Sequence, residues 1–258
     1  MQDLNGKKAL ILGMANKRSI AFSVAESLHK HGVKLAVTYQ PMDKDRAEEK
    51  IKGLCEPFAP EILAPLDVTN EDSVKALFSN IEKQWGGLDI LIHSVASAKR
   101  EELAGRFSEI SREGFLFAQE VSSYSLIQMT RAALPLMKDR PGSIVTLTYI
   151  GAERVSKNYN VMGAAKAALE ANVRYLSMEL GPEKIRVNAV SAGPIRTLSA
   201  SGVKDFLDLL HASEERSPLK RNVTQEEVAN AVTFLASEMS SGITGQTLYV
   251  DSGYNISG

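Results

Sequence analysis

Tyr159 and Lys166 are the residues whose types and spacing most directly suggest acid–base chemistry. The stretch from Tyr159 to Lys166 is predicted to begin a helix, in which a step of seven residues turns through about 700° and advances about 10.5 Å. The two side chains then share one face, two turns apart. A lysine cation close to the tyrosine would lower its pKa and favour a developing phenolate. An isolated pair of this kind is more often two surface residues, so its meaning depends on the surrounding elements.

A second chemical signal lies near the start of the chain, where an apolar run ends at Gly13 and a long helical pattern follows. A small residue at a strand-to-helix turn lets the backbone approach a pyrophosphate, whose charge the first N–H groups of the helix stabilise. Ala15, Ser19 and Ala21 occupy the later positions, so the GxGxxG fingerprint is incomplete. Gly13, Ser19 and Ile20 are candidate dinucleotide-binding residues, and a simple tight turn is the alternative.

The residues after the second and third apolar runs bear on which dinucleotide binds. The second run ends at Gln40, with neither an acidic residue for a ribose 2′-hydroxyl nor an arginine for a 2′-phosphate. Gln40 can hydrogen-bond the ribose, whereas Lys44 and Arg46 fall on the next predicted helix, so NADH is favoured over NADPH. After the third run, Asp67 is predicted to accept from the adenine amino group, and the backbone of Val68 to contact the ring edge. The alternative role for Asp67 is a helix cap, although Thr69 or Asn70 would serve better as the cap.

Apolar strand-length runs alternate with amphipathic helical patterns along the chain, which is typical of a parallel sheet covered by helices on both faces. One such pattern is Ile20, Val24 and Leu28, spaced at i, i+4 and i+8. The prediction is an α/β fold of the Rossmann type, a doubly wound seven-stranded parallel sheet. The predicted strands are Lys8 to Leu12, Lys34 to Tyr39, Glu61 to Ala64, Leu88 to Ser94, Ser143 to Thr148, Arg186 to Ser191 and Gln246 to Val250.

The chain contains no linker, repeat or composition shift that would divide it, so residues 1-258 are predicted to form a single NAD-binding domain. The irregular stretch 191-219 follows the sixth predicted strand and contains Gly193, Pro194 and Gly202. Open α/β sheets bind ligands beyond the carboxyl ends of their strands, so 191-219 is predicted to be a substrate-binding lid. A purely structural loop–helix insertion is the alternative.

Composition argues against several classes of function. A formal net charge of -1 provides no general attraction for nucleic acid or for an anionic membrane. The single cysteine, Cys55, excludes an intramolecular disulfide, and the four histidines have no metal-ligand spacing, so no metal is expected. The first residues lack the pattern of a signal peptide, and no apolar run reaches the roughly 20 residues that span a bilayer. A cytoplasmic protein is predicted.

Several motifs occur in one order along the chain. They are Gly13 with Ser19-Ile20-Ala21, Tyr149, Tyr159-x6-Lys166, Asn188 to Thr197, and Val250-Asp251-Ser252-Gly253. With these motifs the sequence resembles, over essentially its entire length, the bacterial NADH-dependent enoyl-acyl-carrier-protein reductases of the short-chain dehydrogenase/reductase superfamily. Most short-chain dehydrogenases have Tyr-x3-Lys and an upstream serine, whereas here Gly163 occupies the x3 position and Tyr149 the upstream place. This departure favours enoyl reduction over alcohol oxidation.

The resemblance implies a reaction and roles for the catalytic residues. Hydride would pass from C4 of NADH to the β-carbon of a trans-2-enoyl thioester, in the elongation cycle of type II fatty acid biosynthesis, and the resulting enolate would be protonated. Tyr159 would hydrogen-bond the thioester carbonyl and stabilise the oxyanion. Tyr159 would also be the candidate donor of the proton. Lys166 would hold the nicotinamide ribose. Tyr149 would line the acyl pocket and assist in catalysis, and a tyrosine that only packs is the alternative. The implied substrate is bound to acyl carrier protein, and the implied assembly is a homotetramer.

The resemblance also implies further binding residues. Ser97 stands where the family often has an aromatic residue, so the outer acyl pocket is predicted to differ in shape. Met162 would face the acyl pocket, although a methionine that fills a gap between helix and sheet is an equal alternative. Ala98 would also contact the substrate. The residues implied to bind the cofactor are Val95, Ile195, Arg196, Thr197, Leu198 and Ser199.

Two other functions are compatible with the predicted fold. One is a short-chain dehydrogenase that acts on an alcohol or ketone, with Tyr159 as the acid–base residue. The Tyr-x6-Lys spacing argues against it. The other is a regulatory protein that binds NAD without catalysis, because a fold does not by itself imply a function. The presence of Tyr149, Tyr159 and Lys166 together argues against that alternative.

Overall fold

A seven-stranded sheet forms the centre of the computed structural model, which describes residues 2–41, 44–197 and 204–257. All six strand pairings are parallel, and the strand order is β3-β2-β1-β4-β5-β6-β7. The predicted Rossmann-type sheet is therefore confirmed. The order reverses between β1 and β4, which opens a crevice at the carboxyl ends of the strands. The strands are β1 (Lys8–Leu12), β2 (Lys34–Tyr39), β3 (Ile62–Pro65), β4 (Ile90–His93), β5 (Gly142–Thr148), β6 (Ile185–Ala192) and β7 (Thr247–Val250).

The predicted strand positions are confirmed, and their ends shift by a few residues. The fourth strand is shorter than predicted because Leu88 donates its backbone N–H to Leu136 O rather than to a neighbouring strand. The sixth is longer by one residue at each end, since Ile185 and Ala192 pair with β5 and β7 respectively. These differences arise at strand ends, where hydrogen-bond partners in the tertiary structure decide the boundary.

Both faces of the sheet are buried, and β1 explains why its residues form a continuous apolar run. Ala9 and Ile11 pack into the core on one face, whereas Leu10 and Leu12 pack into the core on the other. This alternation with period two, apolar on both sides, is typical of a central parallel strand. In the five-residue strand Lys8–Leu12, every residue after the first is therefore buried.

Eight α-helices in the described part of the chain cover the sheet. Apolar residues of α1, α2 and α8 fill the core on one face, and those of α3, α5 and α6 fill the core on the other. A single π-helical turn, Glu120–Tyr124, connects α4 to α5. The helices are α1 (Ile20–Lys30), α2 (Lys44–Cys55), α3 (Glu71–Trp85), α4 (Arg112–Gln119), α5 (Ser125–Met137), α6 (Asn160–Leu180), α7 (Phe206–Arg216) and α8 (Gln225–Ala236).

The predicted lid, residues 191-219, begins inside the sheet. Its first two residues belong to β6, and α7 occupies much of its second half. Residues 198–203 lie outside the described residues, so the function of this segment as a lid stays a prediction. None of the described helices combines the length and apolar character needed to cross a bilayer.

Gly13 lets the backbone after β1 approach the backbone after β4, at the crevice between these two strands. Its φ of 88° lies in the left-handed region, and a Cβ added there would sit 2.0 Å from Ser94 O. The end of β1 and the chain after β4 can approach this closely only if residue 13 has no side chain.

Gly13→Ala should destabilise the protein by about 3 kcal/mol, because both the positive φ and the contact with Ser94 O oppose a methyl group. Gly53→Ala is the matched control, since a Cβ at this position in α2 meets nothing within 4 Å. The control should be neutral or more stable by up to about 1 kcal/mol. Urea unfolding followed by circular dichroism measures both variants. Equal stability of the two would contradict this account of the crevice.

Candidate active site

Two adjoining cavities open at the carboxyl ends of the strands. Ala96 and Ser97, which follow β4, line both of them. The β1–β4 cavity has a volume of about 420 Å³ and is lined by Gly13, Met14, Ala15, Thr38, Tyr39, Gln40, Leu66, Asp67, Val68, Thr69, Ser94, Val95, Ala96, Ser97, Phe117 and Val121. The β5–β6 cavity has a volume of about 320 Å³ and is lined by Ile20, Ala96, Ser97, Ala98, Arg100, Leu103, Thr148, Tyr149, Tyr159, Met162, Ala192, Gly193, Pro194, Ile195, Thr197, Phe206 and Leu209.

The β1–β4 cavity brings together five residues that the sequence analysis assigned to the cofactor, namely Gly13, Gln40, Asp67, Val68 and Val95. Asp67 Oδ1 accepts hydrogen bonds from the backbone N–H and the hydroxyl of the nearby threonine, at 2.9 and 2.7 Å. No hydrogen bond reaches Asp67 Oδ2 from the described residues. The carboxylate is thus oriented with one oxygen left for a ligand.

Asn70, rather than Asp67, caps the following helix. Its side-chain oxygen accepts from the backbone N–H groups of Asp72 and Ser73 at the start of α3. The helix-cap alternative for Asp67 is therefore wrong. The half-buried Asp67 side chain instead holds the turn between β3 and α3, next to the cavity.

Ser19 shapes the turn between β1 and α1. Its hydroxyl accepts from the backbone N–H groups of Ala15 and Asn16, at 3.2 and 3.0 Å, and it makes no cap to α1. The first N–H groups of α1 consequently have no side-chain partner among the residues that the structure describes, and they can bind an anion. Together with the glycine cradle at the end of β1 and the free oxygen of Asp67, this arrangement fits a nicotinamide dinucleotide, with its pyrophosphate at the helix start.

The wall shared by the two cavities is held by a pair of hydrogen bonds. Ser97 donates its backbone N–H to Ser122 Oγ at 2.9 Å, and Ser122 Oγ donates to Ser97 O at 3.0 Å. Ser122 belongs to the π-helical turn between α4 and α5. Single π-helical turns of this kind are frequent at functional sites.

Tyr149 and Tyr159 meet in the β5–β6 cavity. Tyr149 follows β5, Tyr159 is the N-cap of α6, and their ring centroids lie 5.0 Å apart at 69°, an edge-to-face contact. Tyr159 is partly exposed and lines the cavity. Burial of its hydroxyl raises the pKa of Tyr159, and Tyr149 makes a smaller contribution in the same direction. Both residues line the same cavity.

The direction of the Tyr159 shift corrects the sequence-based expectation. Lys166 was expected to lower the pKa of Tyr159, but desolvation raises it. The Lys166 ammonium is instead directed to a backbone carbonyl of β5, where it donates to Leu147 O at 2.8 Å. Tyr159 is therefore a neutral hydroxyl at physiological pH and can donate a hydrogen bond.

The hydroxyl of Tyr149 is buried between two spaces. Tyr149 lines the β5–β6 cavity and also a neighbouring cavity of about 490 Å³ beside α7. Burial raises its pKa, and Ser156 lies near enough to oppose that shift, although no hydrogen bond of ordinary geometry reaches Tyr149 Oη from the described residues. A buried hydroxyl with no partner in the free protein is suited to bind a ligand oxygen.

Two glycines allow the tyrosines to approach each other. A Cβ on Gly151 would lie 2.6 Å from the Tyr159 ring and 3.1 Å from the Tyr149 ring. A Cβ on Gly163 would lie 2.9 Å from Gly151 O. The sequence analysis noted Gly163 as a departure from Tyr-x3-Lys, and the structure supplies the reason: no side chain fits at this position of α6.

Lys166 is buried, with 6% of its surface exposed, on the face of α6 that meets β5. Burial lowers the pKa of Lys166 to about 8, and the negative charge of Glu170 opposes this shift. Glu170 lies one helical turn further along α6 and accepts a hydrogen bond from Thr148 Oγ1 at 2.7 Å. Burial also raises the pKa of Glu170. An acid at i+4 from a candidate lysine was the signal in the sequence that could have identified Glu170.

His93 lies beneath the site, at the end of β4, and is fully buried. Its Nδ1 is 2.9 Å from Thr146 Oγ1 and its Nε2 is 2.8 Å from Ser125 Oγ. Burial first, and then the charge of Lys166, lower the pKa of His93 to about 3. His93 is therefore neutral and serves to connect β4, β5 and α5. Within the described residues, no three His, Cys, Asp or Glu side chains are grouped as metal ligands.

The remaining predicted site residues divide into three groups. Ile20, Ala98, Ile195 and Thr197 line the β5–β6 cavity, as does Met162, which also packs in a small core with Leu103, Ala118, Val161 and Ala165. Arg196 is exposed and lines neither cavity. Leu198 and Ser199 lie outside the described residues. Phe206 and Leu209, which belong to the predicted lid 191-219, line the same cavity, and so does Arg100, which was not predicted from the sequence.

This geometry can stabilise negative charge on a carbonyl oxygen. Tyr159 and Tyr149 provide two hydroxyl groups on one side of an apolar cavity, and the ammonium of Lys166 lies buried behind them. Donors of this kind act strongly when charge develops in a space that water cannot enter. The adjoining β1–β4 cavity has the features of a dinucleotide site. The arrangement therefore suits reduction of a C=C bond that is conjugated to a carbonyl group.

Comparisons with known proteins agree with this geometry. A family model described as Enoyl-(Acyl carrier protein) reductase matches residues 13–255. The enoyl-[acyl-carrier-protein] reductase [NADH] of Nostoc sp. is 52% identical over 258 residues, which cover 100% of each chain. The enoyl-[acyl-carrier-protein] reductase [NADPH] of Staphylococcus aureus is 51% identical over 257 residues, which cover 99% of each chain.

The fold matches solved structures as closely. The crystal structure of the Bacillus cereus enoyl-acyl carrier protein reductase with NADP+ and indole naphthyridinone has a TM-score of 0.95, 48% sequence identity and 100% coverage of both chains. Likeness at this level extends over the whole fold. The chain therefore belongs to the enoyl-acyl-carrier-protein reductase family of the short-chain dehydrogenase/reductase superfamily.

Proposed function

We propose that the protein is an NADH-dependent enoyl-acyl-carrier-protein reductase, which reduces the trans-2 C=C bond of an acyl thioester in the elongation cycle of type II fatty acid biosynthesis. The observation that carries the proposal is the meeting of Tyr149 and Tyr159 at the end of β5, beside the buried Lys166 and next to a dinucleotide cavity. The family assignment supports the same reaction.

When bound, the dinucleotide supplies the hydride. Tyr159, whose raised pKa keeps it protonated, donates a hydrogen bond to the thioester carbonyl and stabilises the enolate oxygen. Tyr149 Oη, which lacks a partner of ordinary geometry in the described residues, is the second donor and orients the acyl group. The apolar walls of the cavity exclude water from the developing charge.

Lys166 holds the nicotinamide ribose and keeps a positive charge near the reacting carbonyl. One of its N–H groups is occupied by Leu147 O, which leaves two for hydrogen bonds to ribose hydroxyls. The carbonyl of Leu147 thus fixes the ammonium in position before the cofactor arrives. Lys166 acts on Tyr159 only through this charge, since the hydrogen bond that its ammonium donates is directed to Leu147 O of β5.

NADH is the proposed cofactor because Gln40, at the end of β2, brings no positive charge to the adenosine ribose. A 2′-phosphate is recognised mainly by arginine or lysine at this place. Asp67 and the backbone of Val68 are proposed to bind the adenine ring. Related enzymes carry both NADH and NADPH in their names, and the neutral Gln40 supports the former for this chain.

The substrate is proposed to arrive on acyl carrier protein, and the segment 191-219 is proposed to close over it. Ile195 and Thr197 of this segment line the β5–β6 cavity, as do Phe206 and Leu209 of α7. Residues from both ends of one segment therefore contribute to the walls around the acyl chain. Closure of such a segment would separate the reacting atoms from water.

Consumption of NADH, followed by its absorbance, tests the reaction with crotonyl-coenzyme A and then with a panel of ketones. We expect oxidation of NADH with the enoyl thioester and none with the ketones. Activity toward ketones alone would identify an alcohol or ketone dehydrogenase. NADH binding without turnover of any substrate would point to a regulatory protein.

The roles of the site residues predict different failures in single variants. Tyr159→Phe should lower kcat by about 10²–10³-fold with NADH affinity nearly unchanged, because only the oxyanion donor is removed. Lys166→Ala should weaken NADH binding and lower kcat together, and Tyr149→Phe should be milder than Tyr159→Phe. Fluorescence titration of NADH and kcat with an enoyl thioester distinguish them. Tyr175→Phe, on the exposed face of α6, is the control. Normal turnover of Tyr159→Phe alongside an inactive Tyr149→Phe would exchange the two roles.

The pKa of Lys166 predicts the pH dependence of turnover. Lys166 carries its charge below a pKa of about 8 and loses it as the pH rises, so kcat should fall at alkaline pH. Glu170→Gln keeps the contact with Thr148 but removes the charge that raises the pKa of Lys166, and the fall should move to lower pH. Glu153 and Arg174 act on Glu170 and stay unchanged. Glu179→Gln, exposed on the same helix, should behave as wild type, and an unmoved alkaline limb in Glu170→Gln would contradict this role.

A cytoplasmic homotetramer is the proposed form of the enzyme. The free, buried Cys55 agrees with a reducing compartment. Among the described residues, large apolar side chains are exposed on α4, on α6 and on the turn between α4 and α5, and again on β7 and the turns near the end of the chain. We propose that each of these two groups forms a self-complementary patch, because two such patches suffice to build a tetramer with dihedral symmetry. The first group is Phe115, Leu116, Tyr124, Tyr175 and Met178, and the second is Met239, Leu248 and Ile256.

Sedimentation velocity at micromolar concentration should give a single tetrameric species. Met178→Glu places a charge in the first patch, where 83% of the methionine surface is exposed in the single chain, and should yield dimers. Val155→Glu is the control, because Val155 is fully exposed outside both patches, and it should remain tetrameric. A wild-type monomer under these conditions would refute the proposed assembly.

A further inference from the structure

The β5–β6 cavity contains one charged residue among the described residues that line it, Arg100. The rest of the lining is apolar or neutral, with Leu103, Met162 and Phe206 among the largest side chains. Arg100 is exposed and belongs to the short 3-10 turn Arg100–Glu102, so it lies at the rim rather than in the interior. A pocket of this composition fits a ligand whose body is neutral and whose outer end carries a negative charge.

Two of the charged residues next to Arg100 in the sequence, Lys99 and Glu102, have other partners. Lys99 Nζ donates to Glu113 Oε1 at 2.5 Å, and Glu102 is buried and accepts hydrogen bonds from Ser111. No ion pair or hydrogen bond joins the Arg100 guanidinium to any described residue. The guanidinium therefore keeps all five donors at the rim of the cavity, which is the arrangement of a recognition group rather than of a structural ion pair.

We propose that Arg100 binds the phosphate of the phosphopantetheine arm that carries the acyl thioester. This inference rests on the proposed function. The thioester carbonyl lies at Tyr159 and the acyl chain in the apolar interior, so the arm must leave past the rim, where Arg100 lies. The arm is uncharged between its sulfur and its phosphate. A guanidinium fork pairs with two phosphate oxygens at once, which fixes both the depth and the direction of the arm.

The other phosphates of the reaction belong to a different part of the site. The pyrophosphate of the dinucleotide is expected at Gly13 and at the start of α1, in the β1–β4 cavity, which Arg100 does not line. The acyl chain itself has no charge to match. Acyl carrier protein and coenzyme A share the phosphopantetheine phosphate, so Arg100 recognises a group present in both carriers.

The test compares crotonyl thioesters that differ in one phosphate, those of pantetheine and of 4′-phosphopantetheine. The measured quantity is the kcat/KM of the 4′-phosphopantetheine thioester divided by the kcat/KM of the pantetheine thioester. Arg100→Ala should lower this ratio about 5-fold, through KM rather than kcat, as expected for one partly exposed charge pair. Arg100→Lys should recover part of the loss. Lys99→Ala, whose lysine is paired with Glu113, is the matched control and should keep the wild-type ratio. The difference between Arg100→Ala and wild type should shrink at high salt.

Crotonyl-coenzyme A and crotonyl-acyl carrier protein complete the series and should lose activity in Arg100→Ala to the same extent as crotonyl-phosphopantetheine. A loss confined to coenzyme A would assign Arg100 to the adenosine phosphates, and a loss confined to the carrier protein would assign it to the protein surface. An unchanged ratio, or a raised KM for NADH, would also overturn the inference. Failure of the wild-type enzyme to reduce any of the four thioesters would instead contradict the proposed function.

Discussion

The burial of the Lys166 ammonium determines how helix α6 packs against strand β5 at this site. Removing a charge from water costs several kcal/mol unless polar groups replace the lost solvent. For Lys166 these groups are the carbonyl of Leu147 and the carboxylate of Glu170, which is itself held by Thr148. Both partners are tied to the end of β5, so the charge is satisfied only when α6 packs against this strand in one register. The same packing sets Tyr159 beside Tyr149.

The two glycines around the tyrosines explain the spacing of the catalytic pair. Gly163 occupies the third position after Tyr159, where a Cβ would lie 2.9 Å from Gly151 O. The turn after β5 is thus in contact with the first turn of α6, and a lysine cannot be accommodated there. Placed one helical turn further, at position 166, the ammonium reaches the backbone of β5 from beneath the tyrosines. The longer spacing between Tyr159 and Lys166 is thus a result of this close backbone approach.

The sheet, its strand positions and the residues around the dinucleotide cavity could be predicted because they depend on local patterns. Apolar runs with buried faces gave the strands, and the turn at Gly13 gave the crevice. The direction of the Tyr159 pKa could not, since it depends on how much water the surrounding chain removes from the hydroxyl. The cap of α3 could be narrowed from the sequence to Thr69 or Asn70 in preference to Asp67, and the geometry selects Asn70. Arg100 lies in a turn without periodicity, so nothing in the sequence directed it toward the cavity.

The segment after β4 forms a wall of both cavities and is fastened to the π-helical turn by the reciprocal Ser97–Ser122 hydrogen bonds. A ligand that displaces this wall from one side changes the shape of the space on the other. Binding to the two cavities is then thermodynamically linked: if the dinucleotide raises the affinity for the acyl thioester by some factor, the thioester raises the affinity for the dinucleotide by the same factor. Because the two cavities share this wall, such a coupling needs no chain of contacts between them beyond residues 96 and 97.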